Sequence, residues 1–155
     1  MTLVARFIIV YNSTTGNTKA MADSIKEGAE SLHLETEVVE AFDANIDDLL
    51  AADAIGFGGP TMNYHPAKPL LRILDELSRH DNRGKIAVSF GSYGWDGLGP
   101  IVIAERLREM GFRVIDPVER VIYKPTDNEL ECLRHLGKDV AMAVKKIPHL
   151  KNLNT

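Results

Sequence analysis

Between an apolar run, Phe7-Ile8-Ile9-Val10, and a segment with helical periodicity lies Tyr11-Asn12-Ser13-Thr14-Thr15-Gly16-Asn17-Thr18, where hydroxyls, an amide and a glycine crowd a helix start. Hydroxyls and unpaired backbone N–H groups at the positive end of a helix dipole favour an anion. Ser13, Thr14, Thr15, Asn17 and Thr18 supply side-chain donors, and Gly16 lets the chain turn tightly enough to aim amides inward. The loop holds no lysine or arginine, and the G-x-x-x-x-G-K-[ST] spacing of a triphosphatase loop occurs nowhere in the chain. The segment reads as a cradle for one terminal phosphate. Taken alone it could equally be an ordinary polar helix cap.

Two later stretches weigh against the plain cap: Gly59-Pro60-Thr61-Met62-Asn63 and Gly91-Ser92-Tyr93-Gly94-Trp95. With Ser13-Thr14-Thr15-Gly16-Asn17-Thr18 they resemble the flavodoxin family, and most of all the flavodoxin domain of the A-type flavoproteins, over roughly residues 3–147. The resemblance implies that the first loop holds the phosphate of flavin mononucleotide (FMN), without a metal. It implies that Pro60, Thr61, Met62, Asn63 and Tyr64 run along the flavin edge, and that Ser92, Tyr93, Gly94, Trp95 and Gly97 surround the ring. Either Trp95 or Tyr93 would stack on the flat isoalloxazine face. Asp96 would accept from the flavin N3–H or stabilise the turn. Flavodoxins carry a glycine in the second loop that lets a peptide flip toward the half-reduced flavin. Met62, Asn63 and Tyr64 stand there instead, so only modest stabilisation of that state is expected.

The function implied is an FMN-binding carrier that shuttles electrons between a reductase and an acceptor protein, with no catalytic residue of its own. With no basic residue foreseen beside N1 and a net charge of −4, the fully reduced, anionic flavin would be disfavoured, which points to a low potential. A-type flavoproteins add a β-lactamase-like diiron domain with a His-x-Glu-x-Asp-His motif. That motif is absent, and His33, His65, His80, His135 and His149 are scattered, so no metal site or metal-based oxygen or nitric oxide reduction is carried over. Pairing of the A-type kind, one subunit's flavin facing another's metal, leaves a homodimer open. Two other functions stay in view: an FMN-dependent oxidoreductase that takes hydride from a nicotinamide or deazaflavin, and a regulatory module that has lost the flavin. A receiver-type phosphorylation domain fits less well, because Tyr11-Asn12-Ser13 occupies the place of its acidic residues.

These loops need a frame that brings them together. At 155 residues and 45% apolar, the chain suits one domain, residues 1–155, with a sizeable core. The mild acidity and lack of a basic run argue against nucleic acid. No apolar run approaches a membrane span and no secretory leader is evident, so no membrane partner and a cytoplasmic location are expected. The single cysteine, Cys132, excludes an internal disulfide or a C-x-x-C pair, and its place in the last helix suggests a buried, inert thiol.

Apolar runs alternate with segments of helical period, the pattern of an α/β doubly wound parallel sheet. Five strands are expected near 3–10, 36–40, 54–58, 85–90 and 112–122. Inward helix faces are marked by Met21, Ile25, Ala29 and Leu32; by Leu70, Leu74 and Leu77; by Ile103, Leu107 and Met110; and by Leu133, Leu136, Val140 and Val144. Gly111 suits a helix C-terminus, and Thr126 with Glu129 a capping box, with a polar tail from about Pro148. The flavodoxin-like strand order 2-1-3-4-5 would bring the loops after strands 1, 3 and 4 to one crevice beyond the strand C-termini.

Overall fold

The computed structural model describes residues 6–13, 15–62, 65–94 and 96–147. In chain order the elements are β1 (Arg6–Tyr11), α1 (Asn17–Ser31), β2 (Glu35–Glu40), α2 (Ile46–Ala51), β3 (Ala54–Gly58), the short strands β4 (Thr61–Met62) and β5 (His65–Pro66), α3 (Lys68–Leu77), β6 (Ile86–Tyr93), α4 (Leu98–Glu109), β7 (Arg113–Val114), β8 (Glu119–Ile122) and α5 (Asp127–Lys145). The main sheet is parallel throughout, in the order β2-β1-β3-β6-β7, with β8 also pairing β6. Counting the β7 and β8 segments as one position gives the expected 2-1-3-4-5 order.

Alternation along β1 explains the two layers. Phe7 and Ile9 point to one face and join Met21, Ile25, Leu133, Leu136, Val140 and Val144 of α1 and α5. Ile8 and Val10 point to the other and join Leu49, Leu70, Leu74, Leu77, Ile103 and Leu107 of α2, α3 and α4. A parallel sheet buried on both faces carries nearly continuous apolar strands, and β3 is buried at every position.

Helices α1 and α5 touch backbone to backbone. A Cβ on Gly28 would run into the Arg134 carbonyl, and one on Gly137 into the Ile25 carbonyl. Thr126 Oγ1 accepts from Glu129 N at 3.2 Å while Thr126 N donates to Glu129 Oε1 at 3.0 Å, the reciprocal capping box that starts α5. Gly111, at φ +95°, follows α4 in the left-handed conformation expected of a terminating glycine.

Three expectations change. The fifth strand is two segments, β7 beside Ile86 and Ala87 and β8 beside Phe90 to Tyr93, because Pro117 between them has no N–H for the ladder. Cys132 is exposed, since α5 turns Leu133, Leu136 and Gly137 inward and leaves Glu131 and Cys132 on its outer side. The β4–β5 hairpin and the six-residue α2, capped by Asn45 Oδ1 accepting from Asp48 N, are additional to the expected elements. The tail from Pro148 lies outside the described residues. Among the described residues no helix is long and apolar enough to cross a membrane.

Replacing Thr126 with Ala should cost about 1 kcal/mol through loss of the cap. Replacing Gly137 with Ala should cost more, about 1–3 kcal/mol, because helix backbones must part. Urea unfolding at constant m-value checks both, and equal costs would contradict the backbone contact.

Candidate functional site

Strands β1, β3 and β6 run parallel and in register, so the loops that leave their C-terminal ends emerge side by side. The first loop feeds α1. Gly16 caps that helix at φ +87° and ψ −8°, left-handed backbone that L side chains rarely adopt, and nothing lies within 4 Å of where its Cβ would be. The side chain of Ser13 accepts from Gly16 N at 3.0 Å, which leaves the Ser13 O–H to donate. No side chain caps α1 and its first turn holds no acidic residue, so the turn keeps N–H groups directed outward. Lys19, exposed in that turn, is drawn down the helix by Asp23 at 2.9 Å, and the hydrogen bond and charge of Asp23 raise its pKa. The cradle is therefore built of hydroxyls and amides.

Two hydrogen bonds tie the three loops together. Thr18, buried at the start of α1, places Oγ1 3.2 Å from Ser92 Oγ, joining the helix that the first loop feeds to the end of β6, from which the third loop leaves. Gly99 N, in the first turn of α4, donates to Thr61 Oγ1 at 2.9 Å, joining the second loop to the helix after the third. Gly59 N donates to Phe90 O at 3.3 Å, and a Cβ on Gly91 would run into the Gly59 carbonyl, so the second loop starts backbone against backbone on β6.

The structure brings Ser13, Thr15, Gly16, Asn17, Thr18, Pro60, Thr61, Met62, Ser92, Tyr93, Gly94 and Gly97 to this end of the sheet. Thr14, Asn63, Tyr64 and Trp95 lie outside the described residues. Asp96 accepts from Leu98 N at 3.2 Å, the turn-stabilising alternative foreseen for it. His65 is exposed in β5. Among the described residues no three His, Cys, Asp or Glu side chains gather as a metal site.

Sequence reasoning passed over Arg120 and Tyr123, which stand against the third loop at the end of β8. The signal was available. They too end a parallel strand, at the sheet edge where α/β ligands gather. Glu119, also in β8, has its pKa raised, first by burial and then by the nearby charge of Glu129.

The family model for flavodoxin matches residues 9–137. A solved flavodoxin from the domain Archaea is 46% identical and superposes with a TM-score of 0.87, over 90% of this chain and 99% of that one. Coenzyme F420H(2) oxidase of Methanocaldococcus jannaschii is 33% identical over 90% of this chain and 35% of its own length. Type A flavoprotein fprA of Rhodobacter capsulatus is 32% identical over 86% of this chain and 32% of its own. The chain thus spans between 24% and 35% of the length of these and similar curated relatives.

Removing the Thr18 hydroxyl with Thr18→Val should cost about 1–2 kcal/mol of stability, and much less in a Ser92→Ala background, where its partner is already gone. Equal costs in the two backgrounds would mean the bond does not couple the loops. Because the pKa of Glu119 is raised in the fold, its ionised form opposes folding at neutral pH, and this opposition fades as pH falls through the raised value. Glu119→Gln should therefore raise Tm at pH 7, with the gain shrinking toward about pH 4.

Proposed function

The chain belongs to the flavodoxin family of FMN-binding electron-transfer proteins, and on that premise we propose that residues 1–155 form one flavodoxin-like domain whose three loops hold FMN and present its edge to a reductase and an acceptor protein. The observation that carries this reading is the fastening of the three loops at one end of the sheet through Thr18–Ser92 and Thr61–Gly99. The donor set fits the cofactor. An uncapped helix start, a left-handed Gly16 and the Ser13 hydroxyl suit a phosphate monoester. FMN, when bound, supplies the one- and two-electron chemistry.

The residues divide the remaining tasks. Ser13, Thr14, Thr15, Gly16, Asn17 and Thr18 anchor the phosphate. Pro60, Thr61, Met62, Asn63 and Tyr64 would follow the ring edge, and Ser92, Tyr93, Gly94, Trp95 and Gly97 would enclose the ring and exclude water. Large apolar side chains exposed at this end support docking by contact: Met62 at 56%, Leu98 at 43%, Ile122 at 61% and Tyr123 at 65%. Lys68, Asp96, Arg120 and Lys124 are interspersed among them with both signs of charge. An apolar rim with mixed charges favours short-range fit over long-range steering.

Anaerobic dithionite titration of the FMN-loaded protein should pass through a half-reduced species of modest amplitude before full bleaching. One two-electron bleaching step, together with turnover by a nicotinamide or reduced deazaflavin alone, would transfer the assignment to a hydride-accepting oxidoreductase. A protein that stays colourless after reconstitution would leave the regulatory module.

FMN should bind far more tightly than riboflavin, and Gly16→Ala should narrow that gap about tenfold through backbone strain alone, since its methyl meets open space. An unchanged gap, measured by fluorescence quenching, would remove the phosphate from this loop. Electron transfer to an acceptor should change by less than about threefold between low and high salt, whereas Leu98→Asp should slow it by about tenfold. A steep salt dependence in stopped-flow traces would instead indicate charge-led docking.

A further inference from the structure

The broken fifth strand places β8, and not β7, beside the mouth of the third loop. Three contacts pass from it. Tyr123 N donates to Tyr93 O at 2.8 Å, carrying the ladder one residue past β8 to the start of the loop. The Tyr123 ring lies on Gly94 so closely that a Cβ there would come within 2.7 Å of Cε1, Cζ and Oη. Arg120 spans Gly97, with Nη1 donating to the Gly97 carbonyl at 3.4 Å and Cδ 3.2 Å from where a Gly97 Cβ would be. The same Gly97 position lies 3.1 Å from Cε1 of Tyr93. The two glycines of the loop are thus each covered by a β8-end side chain, and Tyr93 is tied to both ends, its carbonyl to Tyr123 N and its ring to Gly97.

Core packing does not account for this arrangement. Tyr123 is 65% exposed, and its backbone sits at φ +56°, a left-handed conformation that non-glycine residues seldom adopt. A strained, exposed aromatic persists where surrounding contacts over-determine it, and such residues concentrate at functional sites. Arg120 brings to the loop a cation that the sequence reading did not place there. A guanidinium beside a site that gains negative charge on reduction favours the reduced form.

We propose that Tyr123 and Arg120 are positioning residues for the flavin: Tyr123 clamps Gly94 and thereby fixes Tyr93, while Arg120 clamps Gly97 and holds positive charge beside the loop. The proposal rests on the reading that the third loop lines FMN.

The test uses the full chain with Tyr123→Ala, Tyr123→Phe, Arg120→Met and Arg120→Lys, scored by FMN dissociation constant, by the midpoint potential of the last reduction step and by the melting temperature without FMN. Tyr123→Ala should weaken FMN about tenfold and Tyr123→Phe less than about twofold, since Cε1 and Cζ stay over Gly94 when Oη is removed. Arg120→Met should shift the last potential downward, and Arg120→Lys should restore most of the shift because the charge remains. Melting temperatures without FMN should stay close to wild type. Wild-type affinity and potential in both Tyr123→Ala and Arg120→Met would overturn the clamp alone. So would losses that track a lowered melting temperature and are not rescued by Phe or Lys. Failure of the wild-type protein to bind FMN would overturn the parent reading, and the clamp with it.

Discussion

A sheet made only of parallel strands must be covered on both faces, and from that constraint most of this molecule follows. Each connection between neighbouring parallel strands has to cross the sheet and return, so every strand delivers its chain to the same edge. The alternation of Phe7 and Ile9 with Ile8 and Val10 assigns α1 and α5 to one layer and α2, α3 and α4 to the other. Once both layers are filled, loops far apart in sequence have one common place to meet. Ser92 and Thr18 are 74 residues apart and share a hydrogen bond.

Chemistry at that edge is economical in charge. Lys19, the cation nearest the cradle in sequence, is turned toward Asp23, and the donors left at the cradle are amides and hydroxyls. Dipolar donors of this kind are fixed by the backbone and need little reorganisation when a ligand arrives. The close backbone contacts serve the same end, because Gly59 and Gly91 let the second loop lie on β6 without side chains between them. Rigidity here comes from the absence of side chains as much as from their packing.

What the sequence disclosed follows the length scale of each signal. Long amphipathic helices were legible: Met21, Ile25 and Ala29 face inward, as do Leu133, Leu136, Val140 and Val144, with Leu32 partly buried. Local chemistry was legible as well, in the Thr126–Glu129 box and in Gly111. Short elements were not. Six residues of α2 complete too few turns to show a period, and two-residue strands have no alternation to read. The apolar stretch 112–122 looked continuous because its pattern records burial, whereas its interruption depends on the missing N–H of Pro117. Cys132 misled by residue type, since one step along a helix rotates a side chain by about 100° and carries it from core to solvent. Of the site, the three loops were visible as motifs, whereas Arg120 and Tyr123 showed only as residues ending the last strand, and which part of the third loop they touch is set by tertiary contact.

The backbone contact between α1 and α5 gives the helix behind the cradle two unlike ends. Around Gly28 its turns are locked against a second helix, and their amides are shielded from solvent and closed in a hydrogen-bonded ladder. Its first turn has amides without side-chain caps and a left-handed hinge at Gly16. In hydrogen–deuterium exchange such a helix would trade slowly along its body and quickly at its tip. An anion seated at the tip would erase that difference without moving the body, so occupancy could be read from a handful of amides while the rest of the fold stays silent.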